Sequence, residues 1–254
     1  ILDAQNVFDR MSNRDVVLWT TLIAGYAMHG PIEDVLKSFE KMQDEGVLPN
    51  TFTFSCVLKA CGKTEAIDEG HGTHMHITYK GFENDFFLGK SIVSMYVKCG
   101  ALSDAWGVFT KLPVQDVVSW TSLLVGYTDD GPSEEAFNCF KEMQVQGILP
   151  DAFSFSSILR ACSNAGAIEK GFEIHKEIIH EGFEKDLVVG SALVSMYVLC
   201  GSFVEAQEVF DELPQHCVVA WNALIGGFVE YGTAEKALDS FDKMQGDGIF
   251  PDAY

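Results

Sequence analysis

The sequence predicts an all-α protein, built as a solenoid of paired helices, and three observations support this fold class. Trp19, Trp120 and Trp221 follow one another at intervals of 101 residues. Each tryptophan lies in a 35-residue segment that reads as two short helices with a stop between them, namely 16–50, 117–151 and 218–252. One such pair cannot bury both of its apolar faces alone, whereas stacked neighbours can.

The first complete repeat, 16–50, shows how each helix is specified. Apolar residues at i, i+3, i+4 and i+7 predict a buried stripe on its first helix, formed by Trp19, Leu22, Ile23 and Tyr26. Gly30 and Pro31 predict the stop, with glycine at the C′ position and proline in the first turn of the next helix. The second helix is predicted to end at Gly46 and to present Val35, Leu36, Phe39 and Met42.

We call the segments that carry Trp19, Trp120 and Trp221 type 1, and two further repeat types lie between them. Type 2 repeats have 35 residues, 51–85 and 152–186, and type 3 repeats have 31, 86–116 and 187–217. One repeat of each type accounts for the 101-residue interval. Ser202 and Glu205 have the spacing of a capping box. We predict one solenoid over residues 1–254, which begins inside a repeat (1–15) and stops just after another begins (253–254), as a fragment of a longer array would.

Composition and charge bound the possible functions. Hydrophobic residues make up 47% of the chain and aromatic residues 12%, enough for a packed core. The 17 basic and 37 acidic residues give a net charge of −20, and no two Lys or Arg residues are adjacent. This charge argues against a generic nucleic-acid binder, which gains affinity by neutralising phosphates.

The cysteines and histidines are predicted to be structural. Cys61 and Cys162 are 101 residues apart, as are Cys99 and Cys200, which indicates buried thiols in a reducing compartment. His74 and His175 share this interval, and no cysteine or carboxylate cluster joins them at metal-ligand spacing. No catalytic motif and no long apolar run is present. We therefore predict no enzyme activity, no metal, no cofactor, no small-molecule substrate and no membrane association.

Specific phrases carry a family resemblance. KMQDEGVLPN, VLKACG, SMYVKCG and DVVSWTSLLVGY, in repeats of 35, 35 and 31 residues, resemble the plant pentatricopeptide-repeat proteins. The order of types resembles their PLS subclass, named for standard, longer and shorter repeats. The resemblance implies a right-handed α-solenoid of helix-turn-helix repeats that binds single-stranded RNA, one base per repeat.

The resemblance also implies which residues read the RNA. The fifth and last residues of a repeat pair to select a base, and the second residues of adjacent repeats sandwich it. In type 1 repeats the reading pairs are Thr20 with Asn50, Thr121 with Asp151, and Asn222 with Asp252. These pairs resemble readers of adenine, guanine and uracil, which predicts the RNA sequence A-n-n-G-n-n-U. The sandwiching residues are Val17, Val118 and Val219.

The type 2 and type 3 repeats depart from this pattern. Ser55 with Asp85 and Ser156 with Asp186 form readable pairs, but repeats of this type often do not follow the family's code. Lys90 with Asp116 and Ser191 with Cys217 are not code pairs, so all four positions are left as n. Type 2 repeats are also implied to contact accessory organelle editing proteins.

The function implied is sequence recognition for an organelle RNA-processing factor, in a mitochondrion or chloroplast, directing cytidine-to-uridine editing whose chemistry is supplied elsewhere. Three alternatives stand beside it. The polar pairs could be solvent-exposed residues and helix caps. The tryptophans could stack on bases, although core packing is favoured. A protein-binding scaffold of the tetratricopeptide type would suit an acidic groove, although its uniform 34-residue unit does not fit. We expect the acidic charge to lie away from the RNA groove.

Overall fold

The computed structural model describes residues 2–11, 13–231 and 233–250, and these residues form fifteen helices and no strand. The helices are α1 (Leu2–Asp9), α2 (Val16–His29), α3 (Ile32–Asp44), α4 (Thr51–Thr64), α5 (Ile67–Tyr79), α6 (Phe86–Lys98), α7 (Leu102–Phe109), α8 (Val117–Asp130), α9 (Ser133–Val145), α10 (Ala152–Ala165), α11 (Ile168–His180), α12 (Leu187–Leu199), α13 (Phe203–Glu212), α14 (Val218–Glu230) and α15 (Ala234–Gly246).

From α2 onward the helices form hairpins, one per repeat. The even-numbered helices open the repeats and are called first helices, and the odd-numbered ones that follow are called second helices. The first helices begin at residues 16, 51, 86, 117, 152, 187 and 218. These residues are also the first residues of the repeats defined by the sequence, so each position of a repeat recurs at the same place on its first helix.

The chain divides into two compact bodies, residues 1–126 and residues 127–254. In the N-terminal body α2 packs against α4, and α4 packs against α6. In the C-terminal body α10 packs against α12, and α12 packs against α14. Within each body, therefore, the first helices form one layer, and this layer carries the equivalent positions of successive repeats side by side.

The predicted apolar stripe of the first repeat is confirmed. Trp19, Leu22, Ile23 and Tyr26 are all buried. On the second helix Val35, Phe39 and Met42 are buried, and Leu36 is half-buried. These side chains fill the space between helices, and burial of each large apolar side chain stabilises the stack by roughly 1.5–3 kcal/mol.

The three tryptophans are core residues rather than base-stacking platforms. Each is at most 4% exposed and meets a phenylalanine ring edge-on, with ring centroids 4.6 Å apart. The partners are Phe8, Phe109 and Phe210. Each contact joins the second helix before a type 1 repeat to the first helix of that repeat, so the 101-residue register repeats one packing contact.

The stop at Gly30 and Pro31 forms by a different geometry from the one predicted. Gly30 has φ −109° in extended backbone, and Pro31 is the N-cap rather than the first helical residue. Glycine is needed because a Cβ here would lie 2.9 Å from Cδ1 of Tyr26. The left-handed glycine closes the second helix instead: Gly46 has φ +75°, and the N–H of Val47 donates to the Met42 carbonyl, as in a Schellman motif.

The last residue of a repeat caps the following first helix. Asn50 accepts a hydrogen bond from the Thr53 N–H at 2.9 Å and forms a complete capping box with Thr53. Asp85, Asp116, Asp151 and Asp186 accept equivalent bonds from backbone N–H groups. The alternative reading of these residues as helix caps is therefore confirmed, and it does not exclude a second role.

The predicted capping box at Ser202 and Glu205 is wrong. Ser202 is the N-cap of α13, but its side chain makes no capping hydrogen bond. Its ψ is 70°, whereas Asn50, which does cap, has ψ 179°. Ala101, at the equivalent position, has the same compact backbone with ψ 62°, so this turn does not use a side-chain cap.

The cysteine and histidine pairs that recur at the 101-residue interval occupy structural positions. All seven cysteines are free thiols. Burial raises the pKa of Cys61 to about 11 and that of Cys162 to about 12, which keeps both thiols protonated and unreactive. His74 Nδ1 lies 2.9 Å from the hydroxyl of buried Tyr96. The equivalent pair, His175 and Tyr197, is 2.7 Å apart.

Within residues 2–11, 13–231 and 233–250, no group of three or more His, Cys, Asp or Glu side chains is placed to hold a metal ion. None of the helices in the described part of the chain combines the length and the apolar character that crossing a bilayer requires.

The described repeats end at residues 15, 50, 85, 116, 151, 186 and 217. Among these repeat ends, only Cys217 has a side chain that does not cap the next helix. We predict that Cys217→Asp stabilises the protein by about 1 kcal/mol, because Asp15 and Asp116 cap their helices at the equivalent position. Urea unfolding followed by circular dichroism measures this change. Cys217→Ala, which supplies no acceptor, is the control, and equal stability of the two variants would contradict the prediction.

Candidate nucleic-acid interface

The second position of every repeat is an exposed apolar side chain on a first helix. The residues predicted to sandwich bases, Val17, Val118 and Val219, are 55–65% exposed. Sequence reasoning missed their equivalents in the other repeats, which are Phe52, Phe87, Phe153 and Val188 and are 45–74% exposed. The signal that could have found them is the register itself, since all seven stand one residue after a repeat start. A large apolar side chain left exposed at every repeat indicates a binding surface.

The first reading pair is joined by a short chain of hydrogen bonds. Thr20 Oγ1 lies 2.7 Å from Thr53 Oγ1, and the Thr53 hydroxyl donates to Asn50 Oδ1 at 3.0 Å. A hydroxyl has one hydrogen, so Thr20 donates to Thr53 when Thr53 donates to Asn50. The cap also fixes the Asn50 amide, because Oδ1 must face the Thr53 N–H.

The type 3 pairs, which do not follow the code, are in direct contact. Lys90 Nζ donates to Asp116 Oδ2 at 2.8 Å. Ser191 Oγ lies 3.1 Å from Cys217 Sγ. Partial burial acts to raise the pKa of Asp116, but hydrogen bonds from Lys90 and Ser119 more than offset it, so the pKa lies below its usual value.

The remaining predicted residues are placed as follows. Ser55 Oγ lies 3.0 Å from Ser91 Oγ, and its predicted partner Asp85 caps α6. Thr121 is half-buried on α8 in the N-terminal body, while its partner Asp151 caps α10 in the C-terminal body. Asn222 is half-buried on α14. Its predicted partner, Asp252, lies outside the described residues.

Each body has an open cleft along its layer of first helices. The first cleft, of about 380 Å³, is lined by residues of α4, α6 and α8 that include Ser55, Lys59, Phe87, Lys90, Lys98 and Val118. The second cleft, of about 550 Å³, is lined by residues of α10, α12 and α14 that include Ser156, Arg160, Val188, Ser191, Leu199 and Val219. Second-position and fifth-position residues of several repeats therefore share each cleft.

Charge is divided between the two sets of helices. The seven first helices carry the basic residues Lys59, Lys63, Lys90, Lys98 and Arg160 and the acidic residues Asp129, Asp130 and Glu230. The second helices α3 to α15 carry 20 acidic and 7 basic residues. No Asp or Glu is among the described residues that line either cleft. The net charge of −20 therefore lies mainly outside the first helices, although five aspartates stand at their starts as caps, namely Asp15, Asp85, Asp116, Asp151 and Asp186.

The pair Lys90 and Asp116 makes a prediction for acid stability. The depressed pKa of Asp116 contributes stability that is present above the pKa of an unfolded aspartate and is lost as pH falls through the folded pKa. In Lys90→Met the pKa of Asp116 should rise towards its usual value, because the donor at 2.8 Å is removed. Carboxyl-carbon NMR titration measures the pKa, and unfolding between neutral and acid pH should show a smaller loss of stability in the variant. An unchanged titration would contradict the assignment.

Family models match most of the chain. The model described as the PPR repeat family matches residues 14–63, 115–164 and 216–254, and the model described as PPR repeat matches residues 153–183 and 191–218. A chloroplastic pentatricopeptide repeat-containing protein of Arabidopsis thaliana is 37% identical over 254 residues, which are 100% of this chain and 41% of that protein. A mitochondrial one from the same plant is 36% identical over 248 residues, 98% of this chain and 24% of that protein. The chain thus spans less than half the length of these relatives.

Solved structures share the fold. The crystal structure of the pentatricopeptide repeat protein PPR10 in complex with an 18-nt psaJ RNA element matches 98% of this chain and 38% of its own, with a TM-score of 0.79 at 21% identity. The PPR domain of Arabidopsis thaliana protein-only RNase P 1, in complex with tRNA, matches 66% of this chain and 93% of its own, with a TM-score of 0.52 at 18% identity. With family models over more than half its length and the helical-solenoid fold of these structures, the chain belongs to the pentatricopeptide-repeat family.

Proposed function

We propose that the chain is a non-catalytic RNA-recognition module that reads single-stranded RNA one base per repeat. One observation carries the proposal: the last residue of a repeat uses one atom to cap the next helix, which determines what it offers to a base. Asn50 uses Oδ1 for its cap, and its amide N–H groups are then the donors it can give to a ligand. Asp151 uses Oδ1 in the same way, and a carboxylate can only accept.

The first repeat offers an ordered pattern of groups. Because Thr20 donates to Thr53, its oxygen accepts from a ligand, and Asn50 donates beside it. A base edge with an amino donor next to a ring-nitrogen acceptor complements this pattern. Adenine has such an edge with N6–H and N1, whereas guanine and uracil present a carbonyl and a ring N–H in those places. The family resemblance assigns the pair Thr20 and Asn50 to adenine among the amino-bearing bases.

The exposed second-position residues complete each reading site. Val17 and Phe52 are second residues of adjacent repeats, and Phe87 and Val118 follow the same rule. An apolar or aromatic side chain on each face of a base excludes water from the edge where hydrogen bonds form. Stacking on an aromatic ring adds about 1–3 kcal/mol per base without selecting its identity. Affinity and specificity thus come from different positions of the same helix.

The charge distribution removes the objection from composition. RNA binding requires that phosphates meet no strong repulsion, and the clefts on the first helices include no Asp or Glu among their described lining residues. The acidic second helices lower non-specific attraction to nucleic acid, since that attraction scales with neutralised phosphates. An acidic protein of this design depends on base contacts for its affinity.

In the cell, we propose, the chain serves an organelle RNA-processing factor of the PLS subclass, directing cytidine-to-uridine editing in a mitochondrion or chloroplast. The order of 35-, 35- and 31-residue repeats supports the subclass, and relatives whose names place them in both organelles support the location. The chemistry is supplied by another domain or a partner protein, and type 2 repeats are candidates for contact with accessory editing proteins.

Asn50→Asp tests the reading mechanism sharply, because Asp remains a good N-cap but replaces an amide donor with an acceptor. By fluorescence anisotropy, the wild-type chain should prefer A-n-n-G-n-n-U to G-n-n-G-n-n-U. The variant should reverse this preference, with a change of roughly tenfold for one mismatched hydrogen-bonding group. The scrambled sequence G-n-n-U-n-n-A and the corresponding DNA measure non-specific binding.

Asn138→Asp is the matched control, since it makes the same substitution at an exposed residue of second helix α9. It should leave both affinities unchanged. No binding of any RNA by a folded, helical sample would contradict the proposal and favour a protein-interaction scaffold. Equal effects of Asn50→Asp and Asn138→Asp on RNA affinity would mean that the added negative charge, and not base reading, causes the change.

A further inference from the structure

The two clefts differ in charge although they are built from equivalent repeats. Lys59, Lys90 and Lys98 line the first cleft. The residues 101 positions later are Arg160, Ser191 and Leu199, which line the second cleft. Arg160 is itself paired with Asp129 at 2.7 Å. The first cleft therefore carries three lysines, of which Lys90 is paired with Asp116, and the second cleft carries a single paired arginine.

The acceptor that an aspartate at the end of a repeat offers to a base is occupied in the first cleft. Asp116 uses Oδ1 to accept from the N–H and the hydroxyl of Ser119 at the start of α8. Its other oxygen, Oδ2, accepts from Lys90 at 2.8 Å. A base at this repeat would have to break the ion pair to reach the carboxylate. The fifth and last residues of this repeat are therefore not available to read a base.

Lys90 remains a strong anion binder in this position. An ammonium group has three N–H donors, and Asp116 takes one of them. Its Nζ also lies 4.7 Å from the centroid of the Phe86 ring, a cation–π contact that helps to hold the charge in place. Lys98 lies close to helix α4, because Gly62 has no Cβ there; a Cβ would be 3.2 Å from Cδ of Lys98.

From these features we propose that the first cleft binds a phosphate group of the RNA backbone and that repeat 86–116 does not select a base. The inference rests on the proposed function, since it assigns this repeat a role on the same RNA. Lys59, Lys90 and Lys98 supply charge and donors, and a phosphate, being acceptor-only and anionic, complements both. The second cleft, with Val188, Leu199 and Val219, instead contacts the apolar face of a base.

Salt dependence tests this assignment with variants that install the residues of the second cleft, Lys90→Ser and Lys98→Leu. Log K falls as log salt concentration rises, and in each variant this fall should be less steep. The slope should become smaller in magnitude by about 0.7, the value for one phosphate contact on a single strand. Affinity at 0.15 M salt should fall roughly three- to fivefold by the same relation. In Lys98→Leu, which leaves the Lys90–Asp116 pair intact, the loss should be equal for all four bases at the nucleotide immediately 5′ to the G of A-n-n-G-n-n-U. Lys141→Ser, an exposed lysine on second helix α9, is the matched control and should change neither quantity.

An abasic oligoribonucleotide separates this inference from base reading. If the wild-type chain binds the abasic strand and both Lys90→Ser and Lys98→Leu bind it more weakly, the phosphate site is supported. This holds even if A-n-n-G-n-n-U is not preferred, and in that case only the base-reading proposal has failed. Selective binding of A-n-n-G-n-n-U with an unchanged salt slope in both variants overturns the phosphate site and leaves base reading intact. A new base preference at the tested nucleotide in Lys90→Ser, with an unchanged slope, also overturns it. Lys98 takes no part in the Lys90–Asp116 pair, so its variant remains informative if Lys90→Ser is destabilised, as circular dichroism melting would show.

Discussion

The structure depends on the side chain at the repeat boundary, which caps the next first helix at every described boundary except Cys217. A first helix begins with backbone N–H groups that have no partner within the helix, and the carboxylate or amide of the preceding residue satisfies them. In Asn50 and Asp151 the capping atom is Oδ1. Because the cap orients the whole side chain, the amide N–H groups of Asn50 are held in one direction, and Thr53 links this residue to Thr20. The interaction that starts each helix also sets what the repeat can offer to a ligand.

The stacking of first helices turns this local rule into an extended surface. Each cap lies at the start of a helix that packs on the first helix of the next repeat within its body. Equivalent positions therefore come side by side, and the exposed second-position residues lie along the same layer as the caps. The described lining of the two clefts includes no Asp or Glu, the carboxylates nearest this layer are the caps at the helix starts, and the second helices carry most of the others.

Periodicity made the fold predictable. A 101-residue interval in Trp19, Trp120 and Trp221 defines the repeats, and the apolar stripe of α2 defines which face is buried. The local backbone geometry of the turns was harder to predict from the sequence. Gly30 was expected at the C′ position, but it lies in extended backbone and is required by the close approach of Tyr26. Ser202 has the residues of a capping box but lies in a turn whose backbone does not use one. The pairing of Lys90 with Asp116 depends on how α6 lies against the end of its repeat, which spacing alone does not determine.

The cap also limits which residues can read a base. Asn and Asp are both among the best N-caps. A capping Asn still has amide donors for a ligand, whereas a capping Asp still has an acceptor oxygen. Either residue therefore starts the helix, and the two complement different base edges. The fifth position carries no such constraint and varies more widely, as Thr20, Ser55, Lys90 and Asn222 illustrate. Where Lys90 occupies it, the ion pair uses the acceptor that remains on Asp116, and the repeat loses its means of reading while it gains charge. We therefore propose that recognition of a base and attraction of a phosphate are alternative uses of one pair of positions and that the fifth residue decides between them.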